Sequence, residues 1–172
     1  MTATDPELLE VPEASEIRDW ATERGILILA HSYQEGFLQE AAHFVGDSLE
    51  LARKAAVEQP EAICFCGVHF MAETAKVLCP DAEVFIPDLE AGCSLADSCR
   101  AEDLARYQQH LERKLGKRPT TIAYVNCTAA VKALCDVICT SGNARPVVGS
   151  IPEDEPLLFV PDPPPGRSPG GA

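Results

Sequence analysis

The sequence predicts a layered α/β fold with short parallel sheets, and three observations carry that prediction. Short apolar runs alternate with stretches of helical periodicity. The runs are unbroken, as in parallel strands covered on both faces. One pattern of polar residues also occurs twice at the same spacing. Its first copy runs from Ile28-Leu29-Ala30-His31-Ser32-Tyr33 to Gly46-Asp47-Ser48, and its second from Ile122-Ala123-Tyr124-Val125-Asn126 to Cys139-Thr140-Ser141-Gly142. In each, an apolar run ends in a polar-x-polar pair, His31/Tyr33 or Tyr124/Asn126. A serine, Ser48 or Ser141, follows 17 residues after the first member of the pair and 15 after the second. Two trios with one spacing argue for a duplicated unit.

The elements follow in order. Residues 13–24 read as a helix with Ile17 and Trp20 on one face and Gly25 as its stop. Residues 26–30 form an apolar strand. Residues 37–45 and 49–57 read as helices, the second capped by Ser48 or Asp47. Residues 62–66 are strand-like, 68–78 helical up to Pro80, and 84–86 a short strand. Residues 94–115 are mostly helix, 121–125 strand, 129–135 helix and 137–139 a short strand. The repeat then requires a strand at 157–160, because Phe65 follows Ser48 by 17 residues and Phe159 follows Ser141 by 18. A helix comes next in the first unit. In the second, the segment from Pro161 to Ala172 is rich in proline and glycine and cannot form one. Such a tail commonly marks a disordered terminus. Standing where an element is due, it also suggests a chain cut short or frameshifted after about Asp162. The expected organisation is therefore an N-terminal helical segment (1–25), a first unit (26–86), an incomplete second unit (87–162) and a disordered tail (163–172).

Composition narrows the function. At 172 residues the chain can bury a substantial core. A net charge of −13, with only 14 Lys and Arg, argues against nucleic-acid binding, since phosphates are held by cations. No apolar run approaches the roughly 18 residues that span a bilayer. The N-terminus shows no secretory pattern, so a cytoplasmic location is expected. There the eight cysteines stay reduced unless they bind metal or perform redox chemistry.

His31 and Tyr33 are placed at the carboxyl end of a strand, where open parallel sheets hold ligands. A histidine there donates or accepts a proton near neutral pH, and a tyrosine can relay one. A structural His–Tyr pair explains the same two residues. Ser48 and Ser141 stand where the chain enters a helix, whose free N–H groups attract anions; plain N-capping is the alternative. Asp47 would repel an anion if it faced inward, and is expected to face away. The cysteines form no Cys-x-x-Cys pattern. Cys64 and Cys66 are expected to share one face of a strand, and Cys135 and Cys139 one face of a helix end, all as small core residues. Cys93 differs, because it sits in a loop at the start of a helix, where a thiolate can ligate metal or attack.

Together, His31-Ser32-Tyr33-Gln34, Gly46-Asp47-Ser48-Leu49-Glu50-Leu51, Phe70-Met71-Ala72-Glu73-Thr74-Ala75-Lys76, Ala91-Gly92-Cys93-Ser94-Leu95-Ala96, Tyr124-Val125-Asn126 and Thr140-Ser141-Gly142-Asn143-Ala144 closely resemble the quinolinate synthase family. The resemblance runs in order from about Ile26 to Asp162. It implies repeated three-layer αβα units with short parallel sheets around a pseudo-threefold axis, with the third unit missing from this chain. It implies condensation of iminoaspartate with dihydroxyacetone phosphate to quinolinate, in the de novo route to NAD, and an upstream aspartate-oxidising enzyme as partner. It further implies a [4Fe-4S] cluster held by three cysteines, one from each unit, with its open iron acting as a Lewis acid.

Carried onto matching positions, Cys93 corresponds to the first cluster ligand. His31 and Tyr33 correspond to the pair that handles substrate and protons, and Ser48, Tyr124, Asn126 and Ser141, with His31, to substrate-binding positions. The other seven cysteines match no cluster ligand. The two remaining ligands and further catalytic residues of the family have no counterpart here, which implies an inactive fragment. Two other readings carry weight: a non-catalytic α/β module that holds a small anionic metabolite, and a cysteine-rich zinc protein.

Overall fold

A computed structural model describes residues 12–161. In chain order the elements are α1 (Ala14–Thr22), β1 (Ile26–His31), α2 (Gly36–Ala41), β2 (Phe44–Gly46), α3 (Ser48–Glu58), β3 (Ala62–Cys66), α4 (His69–Leu78) and β4 (Glu83–Phe85). There follow α5 (Ser94–Asp97), α6 (Ala101–Leu115), β5 (Thr120–Tyr124), α7 (Ala129–Lys132), β6 (Val137–Cys139), α8 (Ala144–Gly149) and β7 (Leu157–Val160). The expected tail at 163–172 and the first part of the expected N-terminal segment lie outside the described residues.

The fold is α/β with parallel sheets. One sheet has four strands in the order β2-β1-β3-β4 and the other three in the order β6-β5-β7, every pairing parallel. Strand β1 shows why its sequence is unbroken and apolar. Leu29 packs with Leu51 of α3 and Phe70 of α4 on one face, while Ile28 and Ala30 pack with Ala21 of α1 and Leu38 of α2 on the other. Side chains alternate across a strand, so burying both faces requires an apolar residue at every position. In the second sheet, Ala123 of β5 packs with Leu104 of α6 and Val131 of α7.

The two registers share one offset. His31 lies opposite Gly46 and Tyr124 opposite Cys139, fifteen residues on in each case. Leu29 lies opposite Phe65, and Ile122 opposite Phe159. Each serine therefore follows two residues beyond the partner of its own strand end.

Two local expectations are corrected and two are made more specific. Residues 37–45 are not one helix: α2 stops at Ala41 and Phe44–Gly46 is strand β2. His43 causes the change, because its N–H donates to the Ile28 carbonyl at 2.8 Å and its Nδ1 accepts from the Ile28 N–H at 2.9 Å. The stretch 94–115 is mostly helix as expected, divided into α5 and α6, with the Ser98 hydroxyl turned back onto the Leu95 carbonyl at 2.7 Å. Cys135 and Cys139 do not share a helix end. Asp136 donates its N–H to Thr121, so β6 begins directly afterwards and carries Cys139, while Cys135 stays in the turn after α7. Finally, of the two residues expected to cap α3 it is Asp47 that does so, and Ser48 is the first helical residue. Gly25 takes φ +65°, the left-handed turn that ends the first helical stretch as expected.

Candidate functional site

The carboxyl ends of β1 and β5 face a common cleft of about 390 Å³, and the chain has two ways of bringing polar groups to it. Strand ends deliver His31 and Tyr124. The turns that follow deliver Tyr33, Asn126, Ser48 and Ser141. All six line this one cleft. Larger hollows of about 620 and 680 Å³ beside α3 and α4 contain none of them.

His31 and Tyr33 meet through a turn and not along a strand. Their ring centroids are 3.9 Å apart, tilted by 38°, and the Tyr33 N–H donates to His31 Nδ1 at 3.3 Å. Nδ1 is thus an acceptor, and in the neutral ring the proton resides on Nε2. Burial pushes the His31 pKa down, and the Asp47 charge opposes the shift only in part. Burial and the neighbouring Cys93 push the Tyr33 phenol up, against the opposing influence of the Val68 backbone. At neutral pH both side chains are therefore neutral and able to donate.

Ser48 is buried, whereas Ser141 is exposed in the turn before α8. Each serine lies where the chain leads into a helix, as expected: Ser48 is the first residue of α3, and Ser141 stands in the turn three residues before α8. Cys93 precedes α5 as its cap residue and is half-buried. It does not line the cleft, but the Asn126 amide nitrogen stands 3.9 Å from its sulfur.

Three lining residues escape sequence reasoning. Asp47 does not face away. Its Oδ1 accepts from the N–H groups of Leu49 and Glu50 at 3.0 and 2.8 Å, and from there the carboxylate still borders the cleft. Met71 reaches the cleft from α4, with its sulfur 4.0 Å from the Tyr33 hydroxyl. Thr140 adds another hydroxyl and binds Asn143 Oδ1 through its own N–H at 2.7 Å. Its place directly before Ser141, at the head of the Thr140–Ala144 motif, was the signal available. No lysine or arginine is among the described residues lining the cleft, so any anion there meets neutral donors and one carboxylate.

The remaining cysteines are reduced and buried or half-buried. Burial pushes the thiols of Cys79, Cys99, Cys127 and Cys139 up, and that of Cys135 to about 12. Cys64 and Cys66 share a face of β3 and a hydrogen bond that holds Cys66 as a thiol. Among the described residues no three His, Cys, Asp or Glu side chains gather into a metal site. No described helix is long and apolar enough to cross a membrane.

Two half-buried histidines give stability a pH dependence with a definite sign. Burial lowers the pKa of both His31 and His43 from an unfolded value of 6.5. Above that value the neutral rings cost nothing. As pH falls below it, the unfolded chain takes up protons that the folded chain resists, and stability is lost until the lower folded values are passed. The urea midpoint is expected to be lower at about pH 5.5 than at about pH 7.5, and His43→Gln should flatten the difference. Equal midpoints for the wild type at the two pH values would contradict the assignment.

Fold and cleft together define an α/β protein with a small polar cavity at the carboxyl ends of parallel strands, where such sheets hold ligands. Residues 15–167 match the family of the quinolinate synthetase A protein. The quinolinate synthase of Prochlorococcus marinus is 54% identical over 138 residues, covering 79% of this chain and 39% of the relative. That of Ehrlichia chaffeensis is 50% identical over 147 residues, covering 86% and 45%. That of a Cyanothece species is 49% identical over 146 residues, covering 85% and 44%. The chain belongs to the quinolinate synthetase A protein family, and it spans about two fifths of the length of these curated relatives.

Proposed function

We propose that this chain carries the first part of a quinolinate synthase site, whose reaction condenses iminoaspartate with dihydroxyacetone phosphate to give quinolinate, phosphate and water. One observation carries the reading: six polar side chains from two like-registered strand ends converge on a single cleft. On this reading the two sheets are copies of one αβα unit. Residues 26–86 and 87–162 are the first two units of a larger assembly, and iminoaspartate comes from an aspartate-oxidising enzyme in the cytoplasm.

The chain's own groups account for binding and orientation. The His31 imidazole, with Nδ1 engaged by Tyr33, presents its Nε2–H as a donor to a carboxylate or carbonyl oxygen. The hydroxyls of Ser48, Tyr124 and Ser141 and the amide of Asn126 provide neutral donors for the other oxygens of a dicarboxylate or phosphate. Tyr33, held protonated and with its ring against that of His31, is assigned the proton relay on this reading.

The family's cluster is only partly matched here. Cys93 suits one ligand, being half-buried at the cleft edge with its sulfur beside Asn126. The described residues offer no set of three ligands, so by themselves they do not fit a [4Fe-4S] cluster, and no step is derived through one. The same geometry leaves a zinc site without ligands among the described residues. The 172-residue chain is accordingly expected to bind ligand without turnover.

Calorimetry of the chain with quinolinate tests the proposal. Measurable heat is expected, with His31→Ala and Ser48→Ala each weakening affinity about five- to tenfold, the scale of one hydrogen bond. Absence of heat, or affinities untouched by both substitutions, would sink it.

A further inference from the structure

Helices α4 and α7 follow the central strands of different sheets, and one carboxylate joins them. Glu73 Oε2 accepts a hydrogen bond from the Ala129 N–H at 2.9 Å, across 56 residues of sequence. Ala129 opens α7, where the first N–H groups have no intrahelical acceptor. The α7 cap, Thr128, spends its hydroxyl on the Val131 N–H at 3.3 Å, which leaves the Ala129 N–H for Glu73. A carboxylate at that helix end also meets the positive end of the backbone dipoles. Two further groups face the same carboxylate. His69 Nδ1 lies 4.0 Å from Glu73 Oε1, and the Lys132 ammonium, over the Phe70 ring at 5.3 Å, is within reach of its charge.

Both ends of this link lead to the cleft. Met71, two residues before Glu73 on α4, lines the cleft and touches Tyr33. The Tyr124–Asn126 segment, which lines the opposite side, runs through Cys127 and Thr128 directly into α7. The Lys132 ammonium donates back to the Cys127 carbonyl and so ties that connection to the helix. Asn126, beyond the end of β5, is thereby joined to α7 by a short, tied connection.

We propose that Glu73 is a positioning residue for the cleft: its charge-assisted bond to the first N–H of α7 sets the Tyr124–Asn126 wall against the His31–Tyr33 wall. Its effect on affinity rests on the binding reading above, whereas its effect on geometry does not. The test uses the whole chain and three variants. Glu73→Ala removes the acceptor, Glu73→Gln keeps an oxygen at the same reach, and Glu73→Asp keeps the charge but withdraws it by one methylene. Amide hydrogen exchange at Ala129 and Phe65, nuclear magnetic resonance shifts of the Tyr124 backbone and the Asn126 side-chain amide, and the dissociation constant for quinolinate are read in each.

In Glu73→Ala and Glu73→Asp, exchange at Ala129 is expected to rise about tenfold or more, with the Tyr124 and Asn126 signals displaced and Phe65 protected as in the wild type. Quinolinate affinity should fall about fivefold in both, and Glu73→Gln should restore most of the protection and affinity. Uniform loss of protection in Glu73→Ala, Phe65 included, would be unfolding, and the Asp variant then decides. Wild-type protection at Ala129 together with unmoved Asn126 signals in that variant overturns the proposal. If the wild type binds no quinolinate, the ligand reading alone falls, and the exchange and shift measurements still judge Glu73.

Discussion

Phe65→Ala is expected to cost about 3–5 kcal/mol of stability, the largest effect of any single change considered for this chain. Phe65 is fully buried in β3, the strand that joins β1 to β4, and packs in the cluster formed with Leu29, Leu51 and Phe70. Removing the ring takes away its transfer free energy and leaves a cavity that α3 and α4 cannot both collapse into. A domain of this size has only about 5–15 kcal/mol in total, so the variant should melt early or fail to fold. Urea denaturation followed by circular dichroism measures the loss. A change below about 1 kcal/mol would mean that the face beneath α4 is not the close-packed core described.

Asp47 is expected to show two effects of opposite sign. Asp47→Ala removes the acceptor for the N–H groups of Leu49 and Glu50 and should lower stability by about 1 kcal/mol, the usual value of a cap. The same change removes the one carboxylate that borders the cleft among the described residues, so quinolinate should bind about two- to fivefold more tightly. The gain is modest because Asp47 is exposed and its charge is screened by water. Asp47→Asn separates the effects: the cap is retained, stability stays near that of the wild type, and the affinity gain remains. Because the Asp47 charge raises the His31 pKa, both variants should also lower that value further, readable from the imidazole resonances on titration. Weaker quinolinate binding by Asp47→Asn would show that the carboxylate serves the ligand and does not repel it.

Much of this site was legible from residues alone, because the relevant signals are local. A polar pair after an apolar run marks the exposed end of a buried strand, and its recurrence with a serine at one interval picks out six of the residues that line the cleft. Cys93 was legible from its loop setting, and it lies beside Asn126 just outside the cleft. The misread positions share a cause. Residues 44–46 have too little sequence to betray a strand, and their strand character comes from β1 and from His43 clasping Ile28. Asp47 was judged by its charge, whereas the unsatisfied N–H groups of α3 turned it toward the helix and kept it at the cleft.

The sequence by itself determined the alternation of helix and strand, the parallel α/β class, the burial of both faces of β1 and six of the polar side chains that line the cleft. These follow from side-chain periodicity and from the free N–H groups of helix starts, which act within a few residues. Only the tertiary structure decided how the two halves meet: the strand orders, the 390 Å³ space between the polar pairs, the approach of Met71, and the bond from Glu73 to Ala129. Each depends on packing between segments tens of residues apart, and a sequence pattern says that a face is buried without saying against what.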